Sequence, residues 1–246
     1  MKPRALAAAA AVVFASSCSP DPRTGANVRP AVLEWQIGIT DKDGPSGMVE
    51  TVLPATYAGK AVWRVVHRDP DPTERDGGSF DMYDVDRETL VPVRSVMRRE
   101  GFFLGLTFDG DRVEIEKIEG DQKSKAEARV RNPMPEGPGV RVLVAALPLR
   151  VGYTAEFPVV DRWAADEARR VTTMKLTVPK RVTMETRLGR REVLEVVLAA
   201  TDGSSSSRHW VRAEAPRYPY KIEYVRGDLH LVSEVTGMVF DGGGEP

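Results

Sequence analysis

Short alternating runs separated by turn signals constrain the fold of this chain more than any other feature. Between residues 31 and 240, segments such as Leu33–Ile39 and Arg112–Ile118 alternate apolar and polar side chains with a period of two. That period places every second side chain on the same face, as in a β-strand with one buried face. About a dozen such runs recur at intervals of roughly 8–12 residues. The sequence therefore predicts an all-β fold, an antiparallel and highly curved sheet or barrel.

One pair of runs carries a strong local signal for antiparallel pairing. Asp109-Gly110 lies between Phe102–Phe108 and Arg112–Ile118. Both central residues of a tight type I′ turn need a positive φ, which Asp and Gly adopt readily. We therefore expect a hairpin at this position.

The segment Gly139–Leu147 breaks the β rhythm. It is apolar except for Arg141, and Pro148 follows it directly. Its valines favour a strand, whereas its leucine and alanines favour a helix that Pro148 would end. The residues alone leave a buried strand and a short helix equally open.

The N-terminus has the pattern of an export signal. Lys2 and Arg4 precede an apolar run, Ala5–Phe14, and small residues then lead to Cys18, the single cysteine of the chain. The run is too short for a transmembrane helix, which needs about 20 apolar residues. The sequence predicts a signal peptide over residues 1–17.

The position of Cys18 resembles the lipobox of bacterial lipoproteins, in which the cysteine becomes the acylated mature N-terminus. The match departs from the usual pattern at Ala15, where leucine is common, and at Ser17, where glycine or alanine is common. The alternative is ordinary secretory cleavage that leaves Cys18 as a free thiol. The resemblance implies lipid attachment at Cys18, with acyl groups such as palmitate. The absence of Asp at position 19 implies an outer-membrane anchor facing the periplasm.

Composition divides the rest of the chain. Residues 18–30 are rich in Pro, Gly, Ser and Arg and predict a flexible tether; residues 31–240 predict a single β domain, and residues 241–246 predict a disordered tail. The 35 basic and 36 acidic residues nearly cancel, so the basic footprint of a nucleic-acid-binding protein is absent. One cysteine also excludes an intramolecular disulfide and cysteine-based zinc or iron–sulfur sites.

A search for catalytic chemistry finds no motif. His67, His209 and His230 lie in strand-like runs without a second ligand at metal-binding spacing. The serines Ser204–Ser207 follow Asp202-Gly203 and are interpreted as part of a turn, where a nucleophile would lack support from packing. We therefore expect no catalytic residues, no metal and no cofactor, and a protein that is not an enzyme.

The aromatic side chains on strands allow two interpretations. They pack a core, or they line an apolar ligand groove if the concave face of the sheet is unfilled. The residues concerned are Trp35, Trp63, Phe102, Phe103, Phe108, Phe157 and Trp210.

Four segments follow one another along the chain: DVDRETLVPVRS (84–95), LTFDGDRV (106–113), ALPLRVGYTAEFPVVD (146–161) and HWVRAEAPRYPYKIEY (209–224). Their order and spacing resemble a bacterial envelope family, domain of unknown function 3108. The likeness extends over about residues 31–238 and implies a curved antiparallel sheet or barrel with one short helix near residues 139–147. The family has no established activity, so no site residues carry over, and fold alone does not fix function.

Three hypotheses for function follow. The first is a non-catalytic envelope lipoprotein, bound to the membrane through Cys18, that holds a lipid or other apolar ligand in the curved sheet. The second is a scaffold that binds another envelope protein through an exposed sheet edge. The third is an enzyme whose site is assembled from distant residues. The first two differ in whether the concave face is open or filled.

Overall fold

A single antiparallel sheet wraps around a short helix in the computed structural model of the protein. The structure describes residues 25–39, 46–68, 79–162, 164, 170–241 and 243–244. Its strands are β1 (Ala31–Ile39), β2 (Ser46–Tyr57), β3 (Lys60–Arg68), β4 (Phe80–Asp86), β5 (Pro92–Arg99), β6 (Phe102–Asp109), β7 (Arg112–Glu119), β8 (Gln122–Arg129), β9 (Thr154–Val160), β10 (Val171–Thr186), β11 (Gly189–Ala200), β12 (Ser206–Arg212), β13 (Pro219–Arg226), β14 (Leu229–Phe240) and β15 (Gly243–Gly244).

The strands follow one another in the sheet almost in chain order. The spatial order runs from β8 back to β1, then from β14 back to β9, and β15 pairs with the end of β14. Every pairing is antiparallel, and the pairing of β1 with β14 joins the two halves of the chain. The hairpin predicted at Asp109-Gly110 connects β6 to β7. The prediction of an antiparallel all-β fold is confirmed.

The sequence pattern does not indicate β2 or β8, and it suggests two strands where the structure has the single strand β10. Strand β2 contains Pro54, and β8 is almost entirely polar, so neither shows the expected alternation. Residues 171–178 and 181–187 have the sequence pattern of two separate short strands, but β10 runs continuously over Val171–Thr186. A register shift between Thr177 and Lys180 accommodates Pro179, because a β-bulge tolerates a residue without an N–H group.

The two edges of the sheet curl toward each other. Val160 at the end of β9 shares a buried cluster with Met97 of β5 and Leu104 of β6. Met134 lies in the connection from β8 to β9, and its N–H donates a hydrogen bond to the carbonyl oxygen of Pro158 on β9, at 2.8 Å. The sheet is therefore barrel-like and nearly closed.

The predicted short helix is confirmed and lies among the residues that line the inside of this barrel. Helix α1 spans Val140–Ala146, and residues 142–147 have no solvent exposure. They share one core cluster with residues of both halves of the sheet, among them Leu33, Leu176 and Val235. The chain leaves the helix at Leu147, which is extended (φ −63°, ψ 147°), as expected for a residue before proline.

The N-terminal segment joins the barrel earlier than predicted. The flexible tether was expected over residues 18–30, but Gly25–Asn27 form a short 3-10 turn and Val28 is buried. The Asn27 side-chain amide also donates to the carbonyl oxygen of Ala146, at 3.2 Å. Residues 18–24, including Cys18, and the predicted signal peptide lie outside the described residues.

At the C-terminus, where a disordered tail was predicted, Gly243–Gly244 pair with Val239 and Phe240. Within the residues that the structure describes, no helix is long and apolar enough to cross a membrane.

Candidate functional site

Several charged and polar side chains are buried together inside the barrel, where they contact helix α1. Glu50 of β2 and His67 of β3 are directly opposite each other across the strand pair, and Glu50 is completely buried. Arg141, the second residue of α1, forms an ion pair with Glu50. Its guanidinium also stacks on Trp35 of β1, 4.4 Å from the ring centroid. The only charged residue of the helix is thus directed at the only carboxylate among these neighbours.

The protonation states in this cluster follow from burial. Desolvation lowers the pKa of His67 to about 4, so the ring is neutral at pH 7. His67 Nδ1 lies 3.2 Å from Glu50 Oε2 and 3.3 Å from Arg141 Nη1, so it donates to the carboxylate in one tautomer and accepts from the guanidinium in the other. Burial lowers the pKa of Arg141 to about 9, which leaves the guanidinium charged at neutral pH beside the Glu50 carboxylate. The cluster therefore holds one positive and one negative charge.

A second group of charges lies next to it. Asp81 of β4 is opposite His67, and Arg99 of β5 pairs with Asp81 at 3.1 Å. Arg162 lies 5.7 Å above the Tyr83 ring and 3.4 Å from Glu136. Burial raises the pKa of Glu136 to about 7, so this carboxyl group is close to half protonated at neutral pH.

The Arg141–Glu50 ion pair holds the helix against β2. Removing one partner of a buried ion pair lowers the stability of the folded protein by about 3–5 kcal/mol, because the other charge stays buried and uncompensated. Among the described residues, no three His, Asp or Glu side chains converge as metal ligands. The sequence singles out Arg141 as the lone charge of an apolar segment. Glu50 has no comparable signal, because it lies in a strand that the sequence pattern does not indicate.

The other two histidines are also on strands. His209 of β12 is buried, and a 2.9 Å hydrogen bond joins its Nε2 to Ser207 Oγ. Ser207 belongs to β12 and not to the predicted turn. His209 Nδ1 is buried without a hydrogen-bond partner among the described residues. His230, at the start of β14, is exposed.

Most strand aromatics pack the core. Trp35, Trp63 and Phe157 are at most 5% exposed and belong to the main core cluster, together with the helix. Phe102 and Phe108 are half-buried against a second cluster, and Arg208 and Lys221 approach the half-buried Trp210 ring. Phe103 covers a neighbouring glycine, Gly105, on the opposite face of β6 from Leu104.

That opposite face carries a groove of about 750 Å³ that extends across β5–β8. Its floor is formed around Gly105, where the absence of a side chain lets the Phe103 ring lie against the backbone. Charged residues border it, among them Arg94, Glu116 and Lys125, so the groove is polar at its rim. It reaches β8, one of the two edges of the sheet.

Comparison with solved structures finds distant similarity across most of the chain. A β-barrel-like protein of domain of unknown function 1849 from Brucella abortus is 11% identical with a TM-score of 0.46, covering 87% of this chain and 98% of that one. A protein described as exported, with a YmcC-like fold, from Bacteroides fragilis is 10% identical with a TM-score of 0.32, covering 88% and 99%. A domain described as an outer-membrane lipoprotein-sorting protein from Vibrio parahaemolyticus is 8% identical with a TM-score of 0.34, covering 88% and 87%.

No curated protein matches the sequence significantly. Residues 56–228, well over half of the chain, match the family described as "Protein of unknown function (DUF3108)". This span runs from the end of β2 to the turn before β14 and includes the helix with Arg141. The chain belongs to the DUF3108 family.

Proposed function

We propose that the protein is an exported bacterial envelope lipoprotein, anchored through Cys18, whose barrel is a non-catalytic module that binds another envelope protein on its outer side. The observation that carries the proposal is the filled interior. The space that an apolar ligand would need is taken by α1, whose residues 142–147 are fully buried.

A lipid could enter only by displacing the helix, and the energies do not favour that exchange. A 16-carbon acyl chain gains about 12 kcal/mol on burial, at about 0.8 kcal/mol per methylene. Exposing Val142, Leu143, Val144 and Leu147 costs roughly 6–12 kcal/mol, at about 1.5–3 kcal/mol per side chain. Separating Arg141 from buried Glu50 costs about 3–5 kcal/mol more. Together these costs come to roughly 9–17 kcal/mol, so the net change lies between about −3 and +5 kcal/mol. An exchange with so little to gain supports an interior that acts as core.

The outer side offers an edge for a protein partner. Strand β8 pairs with β7 along its whole length, and no described strand pairs with its other side. Nearly all of its side chains are exposed. At the opposite edge, the Met134 N–H already covers part of β9, and Pro158 lacks an N–H group. An extended segment of a partner can therefore add to β8, with its side chains reaching the adjoining groove.

Site-specific photo-crosslinking in living cells tests this proposal. A photoreactive residue at Lys125, on the edge strand β8, is compared with the same residue at Lys175, which is also exposed but lies on β10 between two paired strands. We expect one defined protein adduct from position 125 and none from position 175. Equal labelling at both positions, or none at either, would contradict docking at β8.

A further inference from the structure

The outer face of the barrel exposes three apolar side chains next to the point where the chain joins it. Val32 of β1 and Val239 of β14 are a directly opposed cross-strand pair, and both are exposed, at 38% and 52%. Leu53 of β2, 46% exposed, is diagonal to Val32, whose own partner on that strand is Thr51. We call these three residues the apolar patch.

The patch lies at the end of the barrel to which the N-terminal segment is fixed, the anchor end. The Asp241 N–H donates to the carbonyl oxygen of Pro30, at 3.3 Å, which places the start of β1 beside the end of β14. Farther back along the chain, a Cβ on Gly25 would overlap the carbonyl oxygen of Arg87, so this residue is packed tightly against the turn after β4. The N-terminal segment therefore cannot swing to another part of the barrel without breaking these contacts.

The length of chain before Gly25 limits how the barrel can stand on a membrane. Six residues lie between Cys18 and Gly25, and the seven steps along the chain from one to the other span at most about 25 Å. Along β14, Leu229 lies ten residues from Val239, or about 33 Å. The tether is therefore shorter than the strand. When the barrel axis is perpendicular to the bilayer, the tether is too short for the Leu229 end to face the membrane.

We propose that the anchor end rests on the lipid surface, with Val32, Leu53 and Val239 in contact with the boundary between headgroups and acyl chains. This inference rests on the proposed lipid anchor at Cys18. The anchor alone holds the protein near the bilayer, and a shallow apolar contact fixes which end faces it. Strand edge β8 then stays accessible along the side of the barrel.

Quenching of tryptophan fluorescence by brominated lipid tests the orientation. The chain starting at Cys18 is coupled through its only thiol to maleimide-bearing phosphatidylethanolamine in phosphatidylcholine vesicles, so the tether is present whether or not cells lipidate it. The variants Leu53→Trp and Val239→Trp report on the patch. The variant Leu229→Trp is the control, because Leu229 has similar exposure, 41%, on the same strand as Val239.

We expect the added emission of Leu53→Trp and Val239→Trp to fall roughly twofold in brominated vesicles, and that of Leu229→Trp to stay unchanged. Equal quenching of all three, or stronger quenching of Leu229→Trp, would overturn the orientation. The proposed anchor is tested separately, by labelling cells with radioactive palmitate and comparing the native chain with Cys18→Ala. An unlabelled native chain would refute the lipid anchor. The vesicle experiment would still show whether the apolar patch contacts lipid.

Discussion

Removing the charge of Arg141 should destabilise the barrel more than any other single change to a charged residue considered above. In Arg141→Met, the helix keeps its apolar packing, but the Glu50 carboxylate, which is completely buried, loses its cationic partner. Such a loss costs about 3–5 kcal/mol. Against a total stability of about 5–15 kcal/mol, this is a large fraction. With a urea m-value near 2.5 kcal/mol/M, the midpoint of unfolding should fall by about 1–2 M.

The matched control is an exposed ion pair of the same chemistry. Arg181 and Glu192 contact each other on the β10–β11 hairpin, and both side chains are about half exposed. Arg181→Met should cost less than about 1 kcal/mol. The double variant Glu50→Gln with Arg141→Met should regain most of the loss, because it leaves no unpaired charge. If Arg141→Met shifted the urea midpoint no more than Arg181→Met, Arg141 would not be buried against Glu50 and the account of the helix would be wrong.

Three further changes probe the core, the N-terminal segment and the acid response. Leu143→Ala should lower the free energy of unfolding by about 2–5 kcal/mol in urea titrations, whereas exposed Leu229→Ala should stay within about 0.5 kcal/mol; equal effects would contradict a packed helix. Gly25→Ala places a Cβ on the carbonyl oxygen of Arg87, so limited proteolysis should cut near residue 29 faster while the urea midpoint of the barrel is retained. Burial holds the pKa of His209 at about 3, so stability should fall as pH drops from about 6.5, where the unfolded chain takes up a proton. His209→Gln should reduce that slope by about 1.4 kcal/mol per pH unit in thermal melts between pH 6 and 4, and an unchanged slope would refute a neutral buried ring.

The fold was largely predictable because most strands have one buried and one exposed face. Residues 112–118 alternate for this reason, and Asp109-Gly110 gave the turn that joins them to β6. The exceptions have physical causes. Strand β8 is an edge with little to bury, and β2 accommodates Pro54, so the period-two pattern is absent from both.

The candidate site was predictable only in part. Arg141 was conspicuous as a charge in an apolar segment, but its partner, Glu50, is 91 residues away in sequence, and only the packing of helix α1 against β2 brings the two together. The position of His67 on a strand was correct, but its hydrogen bond to Glu50 depends on cross-strand pairing that a single sequence does not give. The sequence also left open whether the barrel interior is filled, because the same aromatic residues can pack a core or line a groove.

The central claim is that the barrel interior belongs to the protein's own helix, and native mass spectrometry tests it most directly. The domain is expressed in the bacterial periplasm from residue 19 onward, so that Cys18 is absent, and is then analysed before and after incubation with phospholipid. If helix α1 fills the barrel, both samples should show the mass of the polypeptide alone. A reproducible extra mass that is removed by organic extraction would mean that a lipid replaces α1 inside the barrel, and would contradict the account.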